Sequence, residues 1–291
     1  MTIFNLGSIN IDYIYTLPHL VTAGETLAAT SFQAALGGKG ANQSIALARA
    51  GADVRHAGQI HKGDDNWLAA MRETGVDCRH ILTGDIPTGH AIVAVDTQTG
   101  ENQIILSPCS NQALTDDMMT PFLAEARPGD WALAQNETNL TEPFLHKAKQ
   151  EGLRICYSAA PFVADITAGL LPLVDLLVVN HIEAEALEAF TGSPLTALNI
   201  AHVIVTRGAD GATYKGQQEA AFDVPAPKVK AVDTTGAGDT YLGYVLAGLD
   251  EGLPVRSAMQ VAAKASAIQV TRQGASAAIP SRDEVDAFVG E

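Results

Sequence analysis

Asp233-Thr234-Thr235-Gly236-Ala237-Gly238-Asp239-Thr240 carries the clearest chemical signal in this chain. Two glycine-bearing turns precede an acidic residue, and an apolar, helix-like run follows from Tyr241 to Leu249. At a helix N-terminus, unpaired N–H groups and the positive end of the helix dipole face the same ligand. Glycine lets the backbone approach a phosphate with no Cβ in the way. A carboxylate repels phosphate, so Asp239 reads better as a base for a hydroxyl about to attack that phosphate. The octapeptide thus points to phosphoryl transfer to an alcohol. On these eight residues alone a plainer reading stays open, an ordinary loop with tight glycine turns and an aspartate N-cap.

Such chemistry needs a scaffold, and the chain is long enough to supply one. Its 291 residues, 47% hydrophobic and 18% charged, suit one large α/β domain. Strands are expected at Thr2–Leu6, Ile11–Leu17 and Leu27–Ala35, the last two around a turn at Thr22-Ala23-Gly24-Glu25. Gly37-Gly38-Lys39-Gly40 opens a helix over Ala41–Ala50, closed by Gly51. A strand at Asp53–Gly58 and a helix at Asp64–Gly75 follow. Strands His90–Asp96 and Gln103–Leu106 flank the turn Thr97-Gln98-Thr99-Gly100. Further strands are expected at Trp131–Ala134, Arg154–Tyr157, Leu176–Val179 and Val203–Thr206. Helices are expected at Glu142–Glu151, His181–Phe190 and Ala237–Leu249, and a last one carries Val255, Met259, Ala262, Ala265 and Ile268 at helical spacing. This alternation predicts a mostly parallel sheet covered on both faces. The two early hairpins fall outside it and predict a small projecting β-sheet flap.

Bulk charge narrows the partners. A net charge of −15 and a pI near 4.8 disfavour nucleic acid and anionic membrane. The same charge repels a nucleoside triphosphate, so a nucleotide site needs N–H groups, a lysine or a divalent metal. Cys78, Cys109 and Cys156 show no zinc spacing and no CxxC, which predicts a reducing cytoplasm. Met1–Asn10 does not read as a signal peptide. The most apolar segment, Gly169–Val179, is too short to span a bilayer and is interrupted by Pro172 and Asp175.

An ordered set of motifs resembles a known family. Gly7-Ser8-Ile9-Asn10-Ile11-Asp12, Gly24-Glu25-Thr26 and Gly37-Gly38-Lys39-Gly40-Ala41-Asn42-Gln43 are similar to the N-terminal region of ribokinases. Asp233–Thr240 resembles the C-terminal signature of the wider PfkB-type sugar kinases. Asn180-His181-Ile182-Glu183, Thr206-Arg207-Gly208-Ala209-Asp210-Gly211, Gly100-Glu101-Asn102 and Thr271-Arg272-Gln273-Gly274-Ala275 fit between and after them, in the family's order. The resemblance covers nearly the whole chain. It implies a single kinase domain over residues 1–291, a three-layer α/β/α sandwich with a small β-sheet lid. The lid strands are drawn from about 11–35 and 88–107.

The resemblance also implies roles. Asn10, Asp12, Gly38, Lys39, Asn42 and Glu137 would bind the sugar. Lys39 is no Walker lysine, because Gly40 follows it where Ser or Thr would be needed. Gly236, Ala237 and Gly238 would form the anion hole and Asp239 the general base. Asn180, Thr206, Gly208, Gly211 and Gly238 would meet ATP. Asn180 and Glu183, three apart at a helix start, would organise Mg²⁺ largely through water; on their own they equally suit an N-cap with a first-turn acid. Asp233 and Thr235, with carbonyls around Val270 and Gly274, resemble a K⁺ site. In the family the flap edges pair two subunits, so a homodimer through the lid is expected.

Three departures from the pattern stand out: Ser158-Ala159-Ala160-Pro161 in place of an Asn-Pro-x-Pro-like run, Arg207 in place of an apolar residue, and Leu242 in place of an Asn. The leading expectation is an ATP-dependent kinase acting on the 5-hydroxyl of D-ribose. Deoxyribose, a ketohexose, a ketodeoxy acid or a nucleoside are alternative acceptors, and a non-catalytic sugar-binding protein is another class. A nicotinamide-dependent oxidoreductase lacks its signature, since no Gly-x-Gly-x-x-Gly follows the first strand.

Overall fold

A computed structural model of the chain describes residues 1–290. It opens with β1 (Thr2–Leu6), β2 (Asn10–Leu17) and β3 (Ser31–Gly37), then helix α1 (Lys39–Arg49). Next come β4 (Asp53–His61), α2 (Leu68–Glu73), β5 (Asp77–Gly84), β6 (Gly89–Asp96) and β7 (Asn102–Ser107). The middle of the chain alternates through α3 (Met119–Leu123), β8 (Trp131–Gln135), α4 (Thr141–Gln150) and β9 (Arg154–Ser158). It continues through α5 (Ala164–Leu170), β10 (Leu176–Asn180), α6 (His181–Thr191) and β11 (His202–Thr206). The last elements are β12 (Ala212–Tyr214), β13 (Phe222–Val224), α7 (Ala237–Asp250), α8 (Val255–Val270) and α9 (Arg282–Ala287).

Nine strands form one sheet in the order β13-β12-β11-β10-β9-β8-β1-β4-β5. Every neighbouring pair is parallel except the two that involve β12. Alternating side chains feed two cores. Ile3, Leu133, Cys156 and Ile204 pack with α1, α7 and α8 on one face. Phe4, Leu6, Ala134, Tyr157 and Val205 pack with α3, α4, α5 and α6 on the other. This is the three-layer α/β/α arrangement expected. A second sheet, ordered β3-β2-β6-β7, joins the two early hairpins through a parallel β2–β6 pair. Among the described residues no helix is long and apolar enough to cross a membrane.

Some boundaries differ from the sequence expectation. The third strand begins at Ser31 rather than Leu27, because β2 ends at Leu17 and its last partner pair is Thr16–Ser31. Pro18 follows with no N–H to donate, and before Ser31 only Thr30 still bonds to β2, through Thr16 O. The helix expected over Asp64–Gly75 is a 3₁₀ turn at Asp65–Trp67 followed by the short α2, since Asp and Asn favour turns over helix. Strands β5, β12 and β13 were not expected. β5 and β13 are the sheet's edge strands, where few side chains are buried, and β12 and β13 are only three residues long, too short for a periodicity to show.

Candidate active site

The parallel strands β1, β8, β9, β10 and β11 end along one edge of the sheet, and the residues of interest follow those ends. In open α/β sheets that edge is where ligands bind. Helices α1 and α7 both begin there. Gly243 sets their spacing: a Cβ on it would lie 2.4 Å from Ala46 Cβ. That close contact lies one helical turn along from Asp239 on α7 and from Asn42 on α1, so it presses the two functional turns together.

Asp239 is buried and held by side-chain amides from α1. Asn42 Nδ2 donates to Oδ2 at 3.0 Å and Gln43 Nε2 to Oδ1 at 2.8 Å. Burial raises its pKa, against the opposing pull of Lys39, Gln43 and Asn42. Each carboxylate oxygen has a second lone pair, so the group can still accept a proton. Gln43 is itself fixed by Gln135, whose Nε2 donates to Gln43 Oε1 at 2.8 Å and to Asn5 Oδ1 at 3.0 Å. The chain of contacts continues through Ser44 to His56, which burial keeps neutral with a pKa of about 4.

Around Asp239 lies an acceptor-rich cluster. Glu137 Oε2 accepts from Ser8 Oγ and, at 3.1 Å, from the Lys39 N–H. Asp12 projects from β2 into space that Gly37 leaves free, since a Cβ on Gly37 would come within 2.0 Å of Asp12 Oδ2. Burial and the nearby Glu137 push the Asp12 pKa up to about 6, against the pull of Lys39. Burial alone would lower the pKa of Lys39, but Asp239, Glu137, Glu183 and Asp12 together hold it above the ordinary value. One ammonium thus sits in the field of four carboxylates. Asn42 Oδ1 is buried without a hydrogen-bond partner among the described residues. Asn10 Oδ1 accepts from Asn111 Nδ2 at 2.7 Å, leaving its own amide hydrogens for a ligand. Gly38 caps α1.

At the helix α7 end, Gly236 is the N-cap. The N–H groups of Gly236 and Gly238 make no hydrogen bond among the described residues, as an anion hole requires. Ala237 departs from expectation, because its N–H is turned inward to Thr234 O at 3.2 Å. Asn180 and Glu183 form a complete capping box on α6: Glu183 N donates to Asn180 Oδ1 at 2.9 Å and Asn180 N to Glu183 Oε2 at 2.8 Å. The capping alternative and the metal role are compatible, because Glu183 Oε1 stays free and Lys39 feels its charge. Asn180 pairs in register with Thr206, which leads to Gly208 and Gly211 on the adjoining loop. Arg207 turns away to an ion pair with Asp223 at 3.0 Å.

The residues expected to ligate K⁺ are engaged in hydrogen bonds with one another and with Gln269. Asp233 Oδ1 accepts from Thr235 N and Oδ2 from Gly274 N, each at 2.9 Å. Val270 O accepts from the N–H groups of Val232 and Asp233. Thr235 O and Gly274 O both face the amide nitrogen of Gln269. Asp233, Thr235, Val270 and Gly274, the residues expected at K⁺, thus lie together where the loop before α7 meets the end of α8. No group of three or more His, Cys, Asp or Glu side chains able to hold a metal occurs among the described residues.

Gln43, Ser8, Gln135, Asn111 and Gln269 have no role assigned from sequence. Gln43 and Ser8 sit inside recognisable motifs, and that adjacency was the available signal. Asn111 is 101 residues from its partner Asn10, and nothing local marks it.

Comparison with known proteins places this geometry. A family model described as pfkB family carbohydrate kinase matches residues 2–282. A ribokinase of Haemophilus influenzae is 33% identical over 305 residues, covering 99% of this chain and 98% of its own. The crystal structure of a ribokinase from Cryptococcus neoformans in complex with ADP is 30% identical, with a TM-score of 0.85 over 98% of each chain. An Arabidopsis thaliana ribokinase, solved with ribose and ATP, is 26% identical with a TM-score of 0.85 over 99% of each chain. With a match across nearly its full length, the chain belongs to the pfkB family of carbohydrate kinases.

Proposed function

We propose that this kinase transfers the γ-phosphoryl group of ATP to the 5-hydroxyl of D-ribose, giving ribose 5-phosphate. The observation that carries the reading is Asp239. It is a buried carboxylate oriented by two amides, close to the free N–H groups of a helix N-terminus and to the unpartnered Oδ1 of Asn42. The ribokinases of Haemophilus influenzae and Arabidopsis thaliana support ribose as the acceptor.

In this mechanism Asp12, Glu137, Asn42 and Asn10 bind the ring hydroxyls and orient the primary hydroxyl. Asp239 accepts its proton as the oxygen attacks, and burial makes that carboxylate a stronger base than one in water. Phosphoryl transfer passes through a loose transition state, so holding the oxygen in line matters more than base strength. The N–H groups of Gly236 and Gly238 stabilise charge on the transferring group, and Lys39 offsets the surrounding carboxylates. Thr206, Gly208 and Gly211 border the nucleotide. Mg²⁺, held through water by Asn180 and Glu183, would neutralise phosphate charge when bound.

The second sheet would act as a lid over the sugar, excluding water. Its exposed Phe32, Ile104 and Ile105 support pairing of two lids in a homodimer. Three unpaired thiols support a cytoplasmic setting. A coupled ADP-release assay with Mg-ATP and a sugar panel tests the function. Ribose is expected to give the highest kcat/KM; preference for deoxyribose, a ketohexose or a nucleoside would keep the mechanism and replace the substrate.

A further inference from the structure

Helix α8 supports the proposed anion hole from beneath. Ser266 Oγ donates to Ala237 O at 2.9 Å. Three residues further along the same helix, Gln269 is fully buried. Its Nε2 lies 3.0 Å from Thr235 O, 2.9 Å from Ala275 O and 3.2 Å from Gly274 O. The same nitrogen lies beside Gly236, 3.4 Å from where a Cβ on that residue would sit.

Three carbonyl oxygens from two separate loops thus converge on one atom. A focus of partial negative charge of this kind suits a small cation or a set of N–H donors. Here N–H donors fill it, and no room remains at the same point for an ion. An amide nitrogen has two hydrogens for the three acceptors, so at least one bond is shared. The opposite amide orientation would set oxygen against three oxygens. The cost of this arrangement falls on Gln269 Oε1, which is buried with no hydrogen-bond partner among the described residues.

We propose that the side-chain amide of Gln269 takes the place of a monovalent cation beneath the anion hole, so that this kinase works without potassium. It ties the loop before α7 to the loop after α8 and so holds Gly236 and Gly238 in position. A neutral amide supplies this stiffness but no full charge, which leaves charge stabilisation to the N–H groups, Lys39 and a divalent metal.

The test compares wild type with Gln269→Ala in chlorides of K⁺, Na⁺, Cs⁺ and tetramethylammonium at equal ionic strength. Ribose phosphorylation by the wild type is expected to vary by less than about twofold across the four salts, whereas Gln269→Ala should lose about tenfold or more in tetramethylammonium and recover most of it in K⁺. Melting temperatures without substrate supply a second readout: only the variant should gain stability specifically from K⁺. The rate comparison rests on the ribose kinase reading, but the melting comparison does not. Absence of turnover on ribose would therefore count against that reading alone. Potassium-specific stimulation or stabilisation of the wild type would overturn the proposal, as would a variant as active as wild type in tetramethylammonium. If Gln269→Ala does not fold, the melting temperature of the wild type in K⁺ and in tetramethylammonium decides.

Discussion

Asp233 lies in the loop before α7 and Asp239 in the first turn of that helix, yet the fold treats them in opposite ways. Asp239 is buried, its oxygens meet side-chain amides, and burial raises its pKa. Asp233 is only half-buried. Burial pushes its pKa up too, but donors from Thr235 and the Gly274 N–H outweigh it and hold the carboxyl below its usual range. One carboxyl is buried at a cost that makes it a better proton acceptor. The other is satisfied by its hydrogen bonds and acts as a staple. The same residue type within one motif thus divides into chemistry and architecture according to what donates to it.

The strongest test of that division is Asp239→Asn. Activity should fall by about a hundredfold to ten-thousandfold while sugar still binds, as seen by calorimetry. Stability should move the other way. A folded pKa raised above the unfolded value contributes stability below the unfolded pKa, and that contribution is lost as pH rises through the folded one. At neutral pH the buried Asp239 carboxyl therefore costs stability, and the variant should melt at or above the wild-type temperature. Asn42, whose Oδ1 has no partner, can turn over to accept the new amide. Full activity in Asp239→Asn would remove the general base from the mechanism.

Gly243→Val tests whether Asp239 depends on the fit of α7 against α1. The added side chain meets Ala46 and the Leu47 N–H, so overpacking should cost about 1–3 kcal/mol. If the helices separate by a fraction of an ångström, kcat should drop by about tenfold or more with a smaller change in KM. An unchanged kcat would show that the Asn42 and Gln43 contacts do not need this spacing.

Asp12 gives a milder, pH-dependent effect. Its pKa of about 6 means that the free enzyme takes up a proton there as pH falls. A protonated Asp12 has lost acceptor capacity for sugar hydroxyls, so KM for the sugar should rise below about pH 6. Asp12→Asn should raise KM by about tenfold at neutral pH and abolish that inflection. A KM that stays flat from pH 5 to pH 8 in the wild type would take Asp12 out of sugar binding.

The sequence showed more of the scaffold than of the wiring. Thr2–Leu6 and Trp131–Ala134 are readable as strands because central parallel strands are apolar on both faces. Asp77–Gly84 escapes notice because only Ile81 on that edge strand is buried. Asp239 is legible because glycines and a helix start surround it. Gln43 is not, because its partner lies 196 residues away and only the packing of α1 on α7 brings them together. Gln269 looks like a polar residue near the end of an amphipathic helix, and its three acceptors belong to loops outside that helix. Roles that depend on one motif could be read; roles that depend on two could not.

Asp233→Ala should have the smallest effect on activity, and it completes the comparison. Removing the carboxylate leaves the Thr235 and Gly274 N–H groups without acceptors, which should cost about 1–3 kcal/mol. Because its folded pKa is depressed, the stability Asp233 contributes is present above the unfolded pKa and lost as pH falls through the folded one. The gap in melting temperature between wild type and variant should therefore be full at neutral pH and close in acid. Gln269 still bridges the same two loops, so kcat should fall only a few-fold. Combining Asp233→Ala with Gln269→Ala removes both staples, and the joint loss of kcat should exceed the product of the separate losses. If the losses simply multiply, the two residues do not act on one loop, and Asp233 must serve the site in some other way.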